Sequence, residues 1–205
     1  MNHLSTYQIF EAVKITDPIQ TIKKLNWYKK VKYTLNTDNS IDVEGNVVIS
    51  SLNLTEMPVK FGKVSGDFNC SVNKLTSLEH CPVVTGNFNC SDNLLTSLEH
   101  APITVTGYFD CSINKLTSLI HGPITVTRDF SCSNNLLTSL EGCPITVSGD
   151  FYFANNKFPK HLQKKIDDFK GTWQELINMK HIWNNKKLNN FNNKTGLYEN
   201  YDNIL

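Results

Sequence analysis

The sequence predicts a β-rich solenoid of stacked parallel strands, with an α/β cap at its N-terminal end and a helical cap at its C-terminal end. Three observations predict it. A motif recurs in tandem: Gly66-Asp67-Phe68-Asn69-Cys70, Gly86-Asn87-Phe88-Asn89-Cys90, Gly107-Tyr108-Phe109-Asp110-Cys111 and Arg128-Asp129-Phe130-Ser131-Cys132, at a step of 20 or 21 residues. A unit this short cannot bury a core alone, so units must stack and share one. The apolar residues of a unit also keep fixed columns. One reads Val47, Phe68, Phe88, Phe109, Phe130, Phe151, the next Ile49, Cys70, Cys90, Cys111, Cys132, Phe153, and a third Leu54, Leu75, Leu95, Leu116, Leu137, Phe158. The outermost units keep the apolar pattern and lose the Cys, as capping units do.

Within a unit Val105, Phe109 and Cys111 share parity, with Gly107 between them, which places them on one side of a strand. Each buried Phe or Leu contributes roughly 1.5–3 kcal/mol, so a handful of units suffices to carry a fold. Asn73, Asn93, Asn114, Asn135 and Asn156 form a further column just after the strand. An Asn at a tight bend donates to carbonyls that the turn leaves unpaired, and at a strand spacing of ~4.8 Å it also reaches the next unit. This ladder is read as structural.

The run Phe-x-Cys-Ser-x-Asn-x-Leu resembles the L-x-L-x-x-N-x-L core of leucine-rich repeats over residues 45–158. The short unit, with Pro on the far side, is similar to repeats of bacterial effectors, and more so to Cys- and Thr-Ser-Leu-rich repeats of tailed bacteriophages and their bacterial relatives. The resemblance implies one parallel sheet on a concave face, which such solenoids use for binding. One departure stands out. The first consensus Leu is Thr85, Thr106, Thr127 or Ser148, with Val one residue earlier, so the strand starts earlier or bulges there.

Residues 1–44 read as the N-terminal cap. Residues 3–13 suit a short helix. Asp17-Pro18-Ile19-Gln20 is a capping box for a second, with Ile19, Ile22 and Leu25 on one side. Lys23, Lys24, Lys29, Lys30 and Lys32 make a basic cluster, either a solvated face or an anion patch. Val31–Leu35 and Ile41–Val43 alternate as a hairpin that leads into Val47–Ile49 and covers the open end of the core.

Residues 159–205 read as the C-terminal cap and tail. Leu162, Ile166, Phe169 and Trp173 fall at helical spacing. Thr172-Trp173-Gln174-Glu175 starts another helix, with Leu176, Met179 and Trp183 on one side. From Asn184 on, Asn and Lys alternate with Phe191, Tyr198 and Tyr201.

Function classes narrow accordingly. Formal net charge is +1, so no global field favours nucleic acid or an acidic membrane. No apolar run has the length of a membrane span. The first residues lack a basic start followed by an apolar core, and six cysteines without such a signal suggest free thiols in a cytoplasmic setting. Cysteines stacked in a line do not converge as tetrahedral metal ligands must, so they read as core, with Cys81 and Cys143 at the position of Ala101 and Gly122. His80, His100 and His121 recur ahead of Pro82, Pro102 and Pro123 and read as a polar edge. No Gly-rich phosphate loop, His-Glu-x-x-His or paired nucleophile and base occurs, and no Cys follows Cys143. The expectation is a protein without enzymatic activity, cofactor or metal.

The outward strand positions vary most between units: Asp67 and Asn69, Asn87 and Asn89, Tyr108 and Asp110, Asp129 and Ser131, Asp150 and Tyr152. They are expected to line the concave face as an acidic, Tyr-spotted strip for a protein partner with a basic patch; the bland alternative is a merely soluble face. The expected function is docking that blocks or tethers that partner. The phage resemblance implies a virus-encoded inhibitor of a host defence factor. Nucleic-acid binding through the basic ends and a part in a larger assembly are the alternatives.

Overall fold

The computed structural model describes residues 32–168, together with Glu175, Phe191–Asn192 and Leu197–Tyr198. It is a β-solenoid of about five turns. Each full coil contributes two short parallel strands, one to each of two rows. The first row, here the Phe row, is one continuous sheet of six strands. It comprises β3 (Val47–Val48), β5 (Phe68–Asn69), β7 (Phe88–Asn89), β9 (Phe109–Asp110), β11 (Phe130–Ser131) and β13 (Phe151–Tyr152). Their register sets Phe68 against Phe88, Phe88 against Phe109 and Phe109 against Phe130. The second row, the Val row, comprises β4 (Phe61–Val64), β6 (Val83–Val84), β8 (Thr104–Val105), β10 (Thr125–Val126) and β12 (Thr146–Val147).

This second row corrects the expectation of one strand per unit. Val105 and Phe109 do face the same interior, but from different strands, because the chain bends at Thr106-Gly107. The segment after each Pro is itself a parallel strand. The Val row is also interrupted: β4 and β6 belong to one sheet, and β8, β10 and β12 to another. The cause is visible in the spacing. Pro82 stands two residues before Val84, whereas Pro102 stands three before Val105. The extra residue, Ile103, shifts the register, and the Thr106 hydroxyl bridges the break by donating to the Thr85 carbonyl.

Between the rows lies one core. Its columns are Val64/Val84/Val105/Val126/Val147, the Phe column, Cys70/Cys90/Cys111/Cys132, Leu54/Leu75/Leu95/Leu116/Leu137 and Leu78/Leu98/Leu119/Leu140, all buried. The Phe rings stack with centroids 5.1–5.7 Å apart and planes within 23° from Phe68 to Phe151. Offset stacking adds ~0.5–1.5 kcal/mol per pair beyond burial. Both ends of the stack are closed by turned rings: Phe61 meets Phe68 at 75°, Phe153 meets Phe151 at 45°, and Phe158 meets Phe153 at 67°. The last coil therefore carries Phe where inner coils carry Cys and Leu, because an end must be filled by bulk.

Strands of two residues make few ladder bonds, so the turns must be tied separately. The Asn column does this. Asn93 Nδ2 donates to the carbonyls of Cys70 in the preceding coil and Cys90 in its own, both at 3.1 Å, and its Oδ1 accepts from Leu75 N at 2.9 Å. Asn114 and Asn135 repeat this pattern, and Asn73 and Asn156 do so at the ends. On the far side, the Ser of each Thr-Ser-Leu run accepts from the N–H two residues on, as Ser77 does from Glu79 at 2.9 Å and Ser97 from Glu99 at 3.0 Å.

The expected hairpin is present: β1 (Lys32–Leu35) pairs antiparallel with β2 (Ile41–Glu44). It extends the Val row, since β2 pairs parallel with β4. Asp38 in its turn accepts from Ser40 and meets Lys60 Nζ at 2.7 Å, and these bonds hold its carboxyl well below the usual carboxylate range. After β13 the chain enters α1 (Lys160–Asp168), whose Leu162 is buried. β14 (Phe191–Asn192) and β15 (Leu197–Tyr198) form a short antiparallel pair. The expected N-terminal helices, and the later C-terminal helix apart from helical Glu175, lie outside the described residues. Among the described residues, no helix is long and apolar enough to cross a membrane.

Replacing Asn114 by Ala orphans the Leu95 N–H inside the wall and removes one of the two bonds to each of the Cys90 and Cys111 carbonyls, which keep those from Asn93 and Asn135. At ~1–3 kcal/mol for the orphaned donor and ~0.5–1.5 kcal/mol for each further bond lost, Asn114→Ala is expected to destabilise the protein by about 2 kcal/mol or more. Urea unfolding followed by far-UV circular dichroism checks this.

Candidate binding face and the residues that build it

The outward strip predicted for partner binding lies on the Phe row. Asp67, Asn69, Asn87, Asn89, Tyr108, Asp110 and Ser131 are half-buried, and Asp129, Asp150 and Tyr152 are exposed. The strip therefore opens to solvent most towards its C-terminal end.

Much of it also has a structural task. Asp67 Oδ1 accepts from Asn87 N at 2.8 Å, Asn87 Oδ1 from Tyr108 N at 2.9 Å, and Asp129 Oδ1 from Asp150 N at 2.9 Å. Asn46 does the same for Asp67, and on the Val row Asp42 does so for Lys63. In each pair the residue before the donor is Gly. A Cβ there would lie 2.1–2.4 Å from the accepting oxygen, as at Gly62, Gly66, Gly86, Gly107 and Gly149. Asx in one coil and Gly in the next thus form a lock. Among the described residues of the Phe row, one coil departs from it: Tyr108 stands where the Asx belongs, and the next coil carries Arg128 in place of Gly. Both halves of the lock change together, because a side chain fits only where no carboxamide or carboxylate fills the space.

The neighbouring strip residues cap the bend behind them. Asn69 Oδ1 accepts from Ser71 N and Oγ, Asn89 from Ser91 likewise, and Asp110 from Ser112 N. At the exposed end, the Tyr152 hydroxyl donates to Asp150 Oδ2 at 3.0 Å, and that bond raises the phenol's pKa.

The structure brings the cysteines into one line inside the wall. Cys70, Cys90 and Cys111 Sγ each donate to a carbonyl of the following coil at 3.3–3.4 Å. Burial, reinforced by neighbouring thiols, pushes Cys90, Cys111 and Cys132 well above the ordinary thiol range. His80, His100 and His121 occupy left-handed positions, φ 68–70°, in turns closed by the bonds from Cys81, Ala101 and Gly122 N to Leu78, Leu98 and Leu119 O. Gly142 takes the same position one coil later with φ 77°. Their recurrence follows from the turn. Among the described residues, no three His, Cys, Asp or Glu side chains form a cluster fit for a metal ion. The depression beside the hairpin, lined by Asn36, Asp38, Asp42 and Lys63, has walls already bonded to one another.

The chain matches no family model, no curated protein and no solved structure.

The locks and the left-handed turns are what reading one unit at a time does not reveal. The locks have a signal, Asx followed by Gly about 20 positions later, that emerges only when adjacent units are compared in pairs. Gly107→Ala is expected to destabilise by about 1–3 kcal/mol, because its Cβ meets the Asn87 backbone nitrogen as well as the side chain; denaturant titration checks this. For the thiols, folded values raised above the unfolded ~8.5 mean that the folded state holds protons the unfolded chain loses. Stability is fully present below about pH 8.5 and declines as pH rises beyond it. Thermal melts between neutral and alkaline pH, with Ellman titration of the native protein giving little reaction, check that sign.

Proposed function

We propose that the chain is a non-enzymatic protein-binding module of the leucine-rich-repeat kind, which occupies or tethers a partner bearing a basic patch. The observation that carries this reading is the division of labour within each coil. Inward columns are nearly invariant from coil to coil, while the outward pair on the Phe row changes at one or both positions from each coil to the next. That variation is greatest where the lock is released. Tyr108, Arg128, Asp129, Asp150 and Tyr152 put aromatic area and net negative charge on the more open half of the strip. Tyr gives contact area at low entropic cost, and paired carboxylates steer a cationic partner. The sequence resemblance to repeats of tailed bacteriophages supports a virus-encoded form that acts in the host cytoplasm on a defence factor.

The strip can be neutralised without breaking it. Asn already serves at Asn87 and Asn89, so Asp110→Asn, Asp129→Asn and Asp150→Asn keep an acceptor oxygen while removing charge. Affinity capture from cell lysate with wild type and this triple variant is expected to show loss of one or a few specific proteins, by at least about tenfold, with the melting temperature little changed. An unchanged set of captured proteins overturns the assignment.

A further inference from the structure

The corner where each Phe-row strand ends carries one left-handed residue per coil: Ser51, Val72, Asp92, Ile113, Asn134 and Asn155, with φ of 53–58°. Asp and Asn tolerate this conformation, whereas β-branched side chains are strained in it. Val72 and Ile113 are β-branched, and they are also 48% and 50% exposed. Two coils thus hold the residue type least suited to the site on both counts, beside coils that show the suited one.

Two positions further on, the next column reads Lys74, Leu94, Lys115, Leu136, Lys157, all exposed. The two columns alternate. Where the first is aliphatic the second is Lys, and where the first is Asp92 or Asn134 the second is Leu. Every coil from Val72 to Leu136 therefore shows one aliphatic residue at this corner, in a zigzag with Lys74 and Lys115 on one side and Asp92 and Asn134 on the other.

We propose that the line Val72, Leu94, Ile113, Leu136 is a docking surface for an acidic amphipathic helix of a partner protein. The backbone of the corner is already engaged: Val72, Asp92 and Ile113 N donate to the carbonyls of Ser91, Ser112 and Ser133 in the following coil. An added strand would find no row of free groups there, so side chains carry the contact. Coils spaced at ~4.8 Å put the four aliphatics across ~14 Å. A helix places residues i, i+3, i+7 and i+10 at about 0, 4.5, 10.5 and 15 Å, in step with them. An extended segment, with same-side residues ~6.6 Å apart, falls out of step. Lys74, Lys115 and Lys157 select Asp and Glu on the helix flank over their column, and Asp92 keeps the other flank free of acidic residues. The same charge is repelled by the acidic strip, so this surface is independent of the one proposed above.

The test uses variants that keep the fold. Val72→Asn with Ile113→Asn copies the neighbouring coils, removes the strain and is expected to raise Tm by roughly 2–4 °C. The probe is a labelled acidic helical peptide with Leu at i, i+3, i+7 and i+10, Glu on one flank and uncharged residues on the other, titrated into the full chain by fluorescence anisotropy. The expected result is saturable binding that weakens at least about tenfold in the double variant, falls also in Lys115→Glu, and is unaffected by Asp110→Asn with Asp150→Asn. Equal binding of a scrambled peptide, or of the double variant, overturns the proposal. So does finding that the substitutions abolish only adsorption to phosphatidylserine vesicles, or only self-association in sedimentation velocity.

Discussion

Each coil depends on one carboxamide. The strands are only two residues long, so cross-strand bonds alone tie neighbouring coils loosely. The turn that follows leaves strand-end carbonyls facing inward, where water cannot reach them. The ladder Asn meets that demand from both sides of the interface, since its amide group bonds carbonyls in two coils and its oxygen takes an N–H of the earlier one. Fixing the turn fixes the register, and register is what superposes the Phe rings and the thiols. Deep burial of Asn93 and Asn135 is the sign of this duty, since a carboxamide stays in an apolar wall only when its bonding capacity is filled.

A second tie operates at the opposite end of the Phe-row strands, nearer the surface. There Asx oxygen and Gly backbone of successive coils share one small volume. Residues that look like free surface chemistry are therefore partly structural, and a ligand meets them with one oxygen already committed. The exception at Tyr108 and Arg128 shows how such an array acquires individuality: chemistry enters where a tie can be given up, because the ladder Asn of the same coil still holds.

The columns of the core were legible because stacking demands that like lie over like, and the step between cysteines measures one circuit directly. The Asn ladder was legible for the same reason. The second strand row was not. Val105, Gly107, Phe109 and Cys111 continue an even count across the bend at Thr106-Gly107, so a parity rule places them on one strand although the backbone turns between them. The backbone of Val72 and Ile113 was equally hidden, since local preference argues against it; the neighbouring Asn, anchored in two coils, imposes it. On the face, residue types suggested contact chemistry but not which oxygens were engaged, because that is a relation between units and not a property of one.

The single residue added after Pro102 has a mechanical consequence. Along the Phe row the hydrogen-bonded ribbon runs unbroken from end to end, while along the Val row it stops after β6 and starts again at β8. One wall of the spiral is seamless and the other has a seam. Two bonds still cross that seam, from the Thr106 hydroxyl to the Thr85 carbonyl and from the Gly107 N–H to the Gly86 carbonyl, so at this step the coils are held by the seamless wall and by the bend rather than by a ladder on both sides.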